Sequence, residues 1–248
     1  MNLSGIVIAK NEEEVISKAL KSLSFCDEVI VIDNDSSDKT AEIAKELGAK
    51  VFKKSTDNFS ELRNFGKENA QGKFLLYIDS DEVVSPELAE NIRKAITSDK
   101  IAAYRIKRKN FYLGKNEWPY VEKMERLFLK EKLMEWRGSI HESPVTDGEE
   151  GLVDGYLLHF THRNLGQMLN KTISWSDEEA RIRLVAKHPK ITWWRFPRVM
   201  ITSFFSYYIK QKGFKLGTPG LIESIYQAFS TFITYAKLWE MQNKSQHS

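Results

Sequence analysis

The amino-acid sequence predicts an α/β protein with an open, mainly parallel sheet flanked by helices, followed by a helical C-terminal appendage. Through roughly the first hundred residues, short runs rich in Val and Ile alternate with helical patterns, which is typical of βαβ units. From Leu165 onward, apolar residues recur at spacings of three and four, the period of amphipathic helices. With 42% hydrophobic residues the chain can bury a core, so its composition excludes disordered and collagen-like proteins.

Four strands are expected in the first half, and each is a short, mostly apolar run. They cover residues 5–9, 28–32, 50–52 and 73–78. The turns agree with this assignment, because Gly48 stands where a helix ends with positive φ, and Ser85 followed by proline is typical of a helix start. Two more strands are expected after residue 99, with loops between and after them as far as residue 155, at residues 102–108 and 126–130.

The charge of the chain is unevenly distributed. The net charge is +3, yet residues 187–248 contain nine Lys or Arg and two acidic residues, so this segment carries +7 and the remainder −4. The same segment contains Trp193, Trp194 and Trp239. A basic, aromatic, amphipathic segment predicts contact with an anionic membrane surface, although a core helix has the same spacing. Nucleic-acid binding is not expected, because the sequence contains no RNA- or DNA-binding motif.

Two features of the sequence bear on the cellular compartment. Cys26 is the only cysteine, which excludes a disulfide framework and a cysteine zinc cluster and suits a reducing compartment. The apolar run near the N-terminus is followed at once by Asn11 and three glutamates, which is unlike a signal peptide. We therefore expect a cytoplasmic protein that is either free or peripheral at the inner face of the cytoplasmic membrane.

Polar clusters follow three of the expected strands. Asn11 and Glu12 follow the first strand, Asp33 the second, and Asp79 and Asp81 the fourth. Open α/β sheets bind ligands at these carboxyl ends. No glycine-rich dinucleotide or P-loop motif is present, so the sequence gives no support for redox chemistry or P-loop hydrolysis. Two carboxylates one residue apart, such as Asp79 and Asp81, can both turn toward Mg²⁺ or Mn²⁺, which commonly keeps a substrate diphosphate among its ligands. The alternative is that these aspartates only cap the turn before the next helix.

Together these segments resemble glycosyltransferase family 2, whose members have the GT-A fold. The matching segments are I-V-I-A-K-N-E, V-I-D-N-D-S-S-D-K-T, R-N-F-G-K-E-N-A-Q-G-K and L-Y-I-D-S-D-E, at residues 6–12, 31–40, 63–73 and 76–82. The resemblance implies that Asp33 contacts the nucleotide base, that Asp79 lies on the ribose side and that Asp81 binds the metal ion. The other nucleotide-binding residues that it implies are Asn11, Glu12 and Arg63.

The second half resembles a narrower branch, the transferases that extend the lipopolysaccharide core, including those that add glucose to a heptose. The matching segments are K-R-K-N-F-Y-L-G-K, M-E-R-L-F, G-S-I-H-E and A-K-L-W-E, at residues 107–115, 124–128, 138–142 and 236–240. The resemblance implies a UDP-hexose donor, such as UDP-glucose, and a lipid-linked saccharide acceptor. The changes of pattern near residue 99 and at residue 165 further predict a nucleotide-sugar-binding half, an acceptor-binding half of the same domain and a helical extension, at residues 1–98, 99–164 and 165–248.

Inverting sugar transfer needs a general base that takes the proton of the acceptor hydroxyl on the face opposite the diphosphate. Glu142, beside His141 in the G-S-I-H-E segment, is the candidate base because the resemblance places an acid there. A surface carboxylate paired with a lysine is the alternative for Glu142. Glu142 and the metal ligand Asp81 are therefore the two expected catalytic residues.

Two further side chains are candidates for the diphosphate and its metal ion. His159 is expected to join Asp81 in the metal shell, with His162 as a second candidate, and a structural histidine at the sheet edge is the alternative. Arg126 suits a phosphate oxygen, because a guanidinium can bind one bidentately. A surface ion pair with a neighbouring glutamate is the alternative for Arg126.

The favoured hypothesis is an inverting, metal-dependent hexosyltransferase, and two other functions are compatible with the sequence. A dolichyl- or undecaprenyl-phosphate sugar transferase shares the N-terminal motifs, but its lipid phosphate acceptor needs no strong hydroxyl base. A catalytically inactive module would keep the fold and bind nucleotide sugars without turnover.

Overall fold

The computed structural model describes residues 1–138 and 142–244, and it confirms the α/β class. The described strands are β1 (Leu3–Ala9), β2 (Glu28–Asp33), β3 (Lys50–Lys53), β4 (Phe74–Asp79), β5 (Glu82–Val84), β6 (Ala103–Tyr112), β7 (Asn116–Leu129), β8 (Leu133–Arg137), β9 (Ser143–Thr146) and β10 (Glu150–Phe160). Eight of them form one sheet in the order β3-β2-β1-β4-β7-β6-β10-β5, and β8 pairs with β9 in a separate sheet. The described α-helices are α1 (Ile16–Ser22), α2 (Thr40–Glu46), α3 (Phe59–Asn69), α4 (Pro86–Ala95), α5 (Leu165–Val185), α6 (Arg195–Phe205) and α7 (Thr218–Lys244).

The four strands predicted in the first half form the parallel side of the large sheet. β1 pairs in parallel with β2 on one side and with β4 on the other, and β2 pairs in parallel with β3. Beyond β4 the direction reverses, because β7 runs antiparallel to β4. The sheet is therefore open and mixed, with its parallel strands contributed by the first eighty or so residues of the chain.

Helices cover both faces of the parallel strands, which explains why β1 has no polar side. Val7 packs in one buried cluster with Leu20 of α1, and Ile6 packs in the opposite cluster with Leu62 of α3. A Cβ at Gly66 would lie 2.7 Å from Cγ2 of Ile6, so glycine at this position lets α3 approach β1 closely.

The turn signals predicted from the sequence are confirmed. Gly48 has a φ of +82° directly after α2. Ser85 caps α4, since its hydroxyl accepts the Leu88 N–H at 3.2 Å, and Pro86 is the first residue of that helix.

The prediction of loops from residue 131 to residue 155 is wrong, because β8, β9 and most of β10 lie there. β10 alternates buried Val153 and Leu157 with exposed residues and contains Gly155 at a φ of +104°. A prediction based on apolar runs misses such a strand, because Asp154 and Gly155 divide its apolar residues into two short runs. β7 likewise begins ten residues earlier than predicted, and the three-residue β5 was not predicted.

The described chain divides into two compact units. The first contains Met1–Lys109 and Val121–His159, and the second contains Asn110–Tyr120 and the chain from Phe160 onward. In the second unit, α7 packs against both α5 and α6, which confirms the helical C-terminal appendage. None of the helices in the described ranges combines the length and the apolar character needed to cross a bilayer.

Of the apolar residues that recur at helical spacing in α7, those of the first half of the helix lie on its exposed side, whereas Phe232 packs against Phe196. Leu221, Ile225 and Phe229 are exposed, whereas Glu223 and Ser224 are buried. The alternative of a stripe packed in the core therefore does not describe these apolar residues.

Candidate active site at the carboxyl ends of the parallel strands

The carboxyl ends of β1, β2 and β4 meet at one edge of the sheet in the first unit. In the β1–β2 pair Ala9 lies opposite Asp33, and in the β1–β4 pair Ile8 lies opposite Asp79. Asp33 and Asp79 thus flank the end of β1 at nearly the same level. Neighbouring strands lie about 4.8 Å apart, so these two strand ends are separated by about 10 Å.

Asn11 and Glu12 hold the loop after β1 against the loop after β2. Asn11 has a φ of +55°, and its Oδ1 accepts the Ser37 N–H at 2.8 Å. The Glu12 N–H donates to Oγ1 of Thr40 at 2.7 Å. Both residues therefore lie at the predicted edge, and their contact with a nucleotide stays a prediction.

Asp33 is fully buried and has one oxygen available for a ligand. Its Oδ1 accepts the Ser36 N–H at 3.2 Å, while its buried Oδ2 has no hydrogen-bond partner among the described residues. Buried carboxylate oxygens are rarely left without a donor, because the cost of removing them from water is high. An N–H group of a bound ligand would satisfy this oxygen.

Asp79 is held by arginines. Arg126 donates from Nη2 to Oδ2 at 2.7 Å, and Arg63 donates from Nη2 to Oδ1 at 3.0 Å. Burial alone would raise the pKa of Asp79, but Arg126, Arg63 and Arg108 outweigh it and hold that pKa well below its usual range. Asp79 is therefore ionised and fixed in orientation, and both of its oxygens face arginines.

Glu82, Arg108 and Glu122 form a second layer around Asp79 that the sequence did not reveal. Glu82 is fully buried, accepts the Asp79 N–H at 2.9 Å through Oε2 and accepts Nη1 of Arg108 at 2.9 Å through Oε1. Arg108 also binds Glu122, with Nη2 2.6 Å from Oε2. The only signal in the sequence was Glu82 extending the D-x-D segment, and its partners lie on distant strands.

Asp81 lies beside His159, and their binding of a shared metal ion stays a prediction. Nε2 of His159 is 3.2 Å from Oδ2 of Asp81, and both side chains are only slightly exposed. They meet because β10 pairs with β5 and places His159 opposite Glu82. No cluster of three or more His, Cys, Asp or Glu with metal-site geometry occurs within residues 1–138 and 142–244.

This pair fits a cation that takes most of its ligands from the substrate. Mg²⁺ is commonly bound by one or two protein carboxylates, with the remaining positions filled by substrate phosphates and water. A carboxylate oxygen also suits Mn²⁺. Asp79 does not share this position, since its oxygens face Arg63 and Arg126, so the expectation that both aspartates turn toward the metal ion is not met.

Glu142 pairs with an arginine instead of the lysine considered as its alternative. Nε of Arg63 is 2.8 Å from Oε1 of Glu142. The Arg63 guanidinium lies over the ring of Trp136, 4.8 Å from its centroid, and its buried Nη1 has no partner in the described part of the chain. Glu142 is therefore anchored at the same edge as Asp79. The neighbouring His141 lies outside the described residues.

The two remaining candidates differ in their surroundings. Arg126 is buried and pairs with Asp79 and Glu82, so the alternative of a surface ion pair is wrong, and its contact with a phosphate stays a prediction. His162 belongs to the second unit, where its Nδ1 lies 3.0 Å from Oε1 of the buried Glu223.

The edge combines the groups that a nucleotide-dependent group transfer requires. It offers a buried acceptor oxygen on Asp33, an arginine-held carboxylate on Asp79, a carboxylate–imidazole pair for a cation and a separate carboxylate on Glu142. It lacks a glycine-rich loop for phosphates, so a diphosphate bound here would rely on a cation or on arginines for charge neutralisation.

Known proteins resemble this chain over nearly all of its length. The family model for glycosyl transferase family 2 matches residues 4–148. An uncharacterized glycosyltransferase of Rickettsia prowazekii is 32% identical over 262 residues, which span 99% of this chain and 89% of that protein. The lipopolysaccharide core biosynthesis glycosyltransferase LpsC of Rhizobium meliloti is 25% identical over 253 residues, which span 96% of this chain and 92% of that protein.

A solved structure supports the fold. TarS 1–349 of S. aureus, solved in complex with UDP-GlcNAc, matches with a TM-score of 0.51 and 16% identity, over 99% of this chain and 92% of that chain. The sheet order and this match confirm the predicted GT-A fold. Since the family model covers more than half of the chain and the Rickettsia relative covers almost all of it, the protein is a glycosyltransferase and belongs to glycosyl transferase family 2.

Proposed function

We propose that the protein transfers a hexose, glucose from UDP-glucose, with inversion onto a saccharide acceptor of the lipopolysaccharide-core type. The observation that carries this proposal is the placement of Asp33 and Asp79 on either side of β1. Their separation of about 10 Å matches the length of a nucleoside. The unpartnered Oδ2 of Asp33 would accept an N–H of the base, and Asp79 would accept a ribose hydroxyl.

The reaction follows from the roles of the residues at this edge. The acceptor hydroxyl oxygen attacks the anomeric carbon, the bond between that carbon and the diphosphate oxygen breaks, and Glu142 takes the hydroxyl proton. Arg63 orients Glu142 and Asp79 together, because its guanidinium binds both carboxylates. Arg126 completes the orientation of Asp79.

A divalent cation, Mg²⁺ or Mn²⁺, would be held by Asp81 and His159, and when bound it supplies positive charge that stabilises the departing diphosphate. The short distance between these two side chains supports a shared ligand. Asp81 is accordingly both a metal ligand and a catalytic residue in this proposal.

The acceptor class rests on similarity to a relative. LpsC is a lipopolysaccharide core biosynthesis glycosyltransferase, and the similarity to it extends over 96% of this chain. We therefore propose a lipid-linked saccharide as the acceptor, with the enzyme working at the inner face of the cytoplasmic membrane.

The test is a thermal-shift panel of UDP-, GDP-, ADP- and CMP-sugars in the presence of Mn²⁺. A ligand at 100 times its Kd stabilises a folded protein by about 2.7 kcal/mol, which raises the Tm of a chain of this size by about 5–10 °C. UDP-glucose should give the largest increase, and Asp33→Asn should remove most of it. A larger increase with GDP- or CMP-sugars would contradict the uridine assignment.

A further inference from the structure

In the first turns of α7 the exposed side is apolar, while the buried side of the same turns carries the polar residues Glu223 and Ser224. Ile222, Ile225 and Phe229 are 39–54% exposed. The buried side carries Glu223, whose Oε1 lies 3.0 Å from Nδ1 of His162. The same oxygen accepts Nε2 of Gln227 at 2.7 Å. Because the polar side has its own buried partners, rotation of the helix would break these contacts.

Packing against the neighbouring helices leaves this outer side open. On the α5 side, the Tyr226 hydroxyl lies 2.7 Å from Oγ1 of Thr172. On the α6 side, Thr231 donates to Oγ of Ser203 at 3.2 Å. Ile222, Ile225 and Phe229 take no part in these two contacts and are exposed.

The chain next to this surface is basic and contains no acid. From Lys187 to Ile222 the sequence has seven Lys or Arg and no Asp or Glu. Lys212 and Lys215 immediately precede α7 and are exposed, together with Phe214 between them. We call Ile222, Ile225, Phe229, Phe214, Lys212 and Lys215 the lipid face.

We propose that the lipid face binds an anionic lipid bilayer, with the apolar side chains at the level of the acyl boundary and the lysines among the headgroups. This inference deepens the proposed function and rests on it for the location of the acceptor. Exposed apolar side chains, with exposed lysines in the turn just before them in the chain, match the chemistry of an anionic membrane interface. Pairing of two copies through this face would bring like charges together, because a twofold contact repeats the same basic surface on both sides.

The test is sedimentation with vesicles of equimolar phosphatidylglycerol and phosphatidylcholine, without nucleotide sugar or acceptor. The full-length protein should bind these vesicles, and Ile225→Glu with Phe229→Glu should weaken binding by at least about tenfold. Lys212→Ala with Lys215→Ala should weaken it by about 25-fold, because each lysine near an anionic surface contributes a factor of about five. Lys45→Glu with Leu47→Glu, exposed residues on and after α2, is the matched control and should bind normally.

Other results would overturn the proposal. The first is a protein that binds no vesicles, or that binds pure phosphatidylcholine vesicles equally well. The second is a control variant that loses binding to the same extent. The third is a protein that does not bind vesicles but forms a dimer in light scattering, which Phe229→Glu dissociates. Circular dichroism of each variant confirms folding. Turnover of a detergent-dispersed acceptor by the same variants separates the two proposals, since membrane binding and sugar transfer can then fail independently.

Discussion

Arg63 donates from Nε to Oε1 of Glu142 at 2.8 Å, and Nη2 of the same guanidinium binds Asp79 at 3.0 Å. One arginine of α3 thus links the carboxylate proposed as the base to the carboxylate proposed for the ribose. Arg63 is itself buried with its guanidinium over the ring of Trp136, so the geometry is fixed by packing as well as by charge. The donor and acceptor sides of the proposed reaction therefore share one structural support.

Glu142→Gln should lower kcat for sugar transfer by about 10²–10⁴-fold, because an amide cannot take the hydroxyl proton. The amide oxygen can still accept from Arg63, so the Kd for UDP-glucose should stay within about twofold. Steady-state UDP release and calorimetric binding measure the two quantities. Glu135→Gln, a partly exposed glutamate of β8 that pairs with Arg137, is the control. Unimpaired turnover in Glu142→Gln would instead favour a polyprenyl-phosphate acceptor.

In the presence of UDP-glucose, Asp81→Asn should raise the Kd for Mn²⁺ by about 100-fold and His159→Gln should raise it by about tenfold. Changes of this size are typical when a metal ligand or its neighbour is removed. Titration of Mn²⁺ by calorimetry at fixed UDP-glucose gives these affinities. Asp154→Asn changes an exposed aspartate on the same strand as His159 and serves as the control. An unchanged Mn²⁺ affinity in Asp81→Asn would remove this residue from the metal site.

Glu28 provides a test of stability away from the catalytic edge. At the start of β2, its Oε2 accepts the Ser4 hydroxyl at 2.6 Å and the Gln71 N–H at 2.9 Å, and its Oε1 binds Lys50 at 2.7 Å. Burial alone would raise the pKa of Glu28, but these donors outweigh it and lower that pKa. Glu28→Gln should therefore reduce the free energy of unfolding at neutral pH by about 1.5–3 kcal/mol.

The pH dependence of this loss follows from the direction of the pKa shift. A carboxyl with a lowered pKa stabilises the fold above its unfolded pKa, about 4.3 for glutamate, and loses that contribution as the pH falls. The difference in Tm between the protein and Glu28→Gln should be constant from neutral pH to about pH 5 and shrink below about pH 4. A difference that grows in acid would contradict the assignment, and the exposed Glu46→Gln is the control.

The parallel half of the fold was predictable because β1, β2 and β4 are continuous, mostly apolar runs buried on both faces. The positions of Asp33, Asp79 and Asp81 followed directly, since each ends or follows such a strand. The antiparallel half was not predictable by the same rule. Asp154 and Gly155 divide the apolar residues of β10 into two short runs, and three residues are too few for β5 to be recognised.

The contacts within the site depend on sheet order, which the sequence does not specify. Glu82 meets Arg108 across 26 positions, and His159 meets Asp81 across 78, because β10 and β6 lie side by side in the sheet and β5 pairs with β10. The orientation of α7 was also not predictable from the sequence. The spacing of its apolar residues defines an apolar side of the helix without defining where that side points. The exposure of Ile225 and Phe229 and the buried contacts of Glu223 show which side of the helix faces outward.

The most direct test of the proposed function is the NMR analysis of the product formed from UDP-glucose, Mn²⁺ and a heptose-containing lipopolysaccharide core oligosaccharide. Because UDP-glucose is α-linked, inverting transfer predicts a β-glucoside, formed in equal amount with UDP and at least about 100-fold more slowly with Glu142→Gln. An α-glucoside, or UDP released without any glycosylated acceptor, would contradict the account.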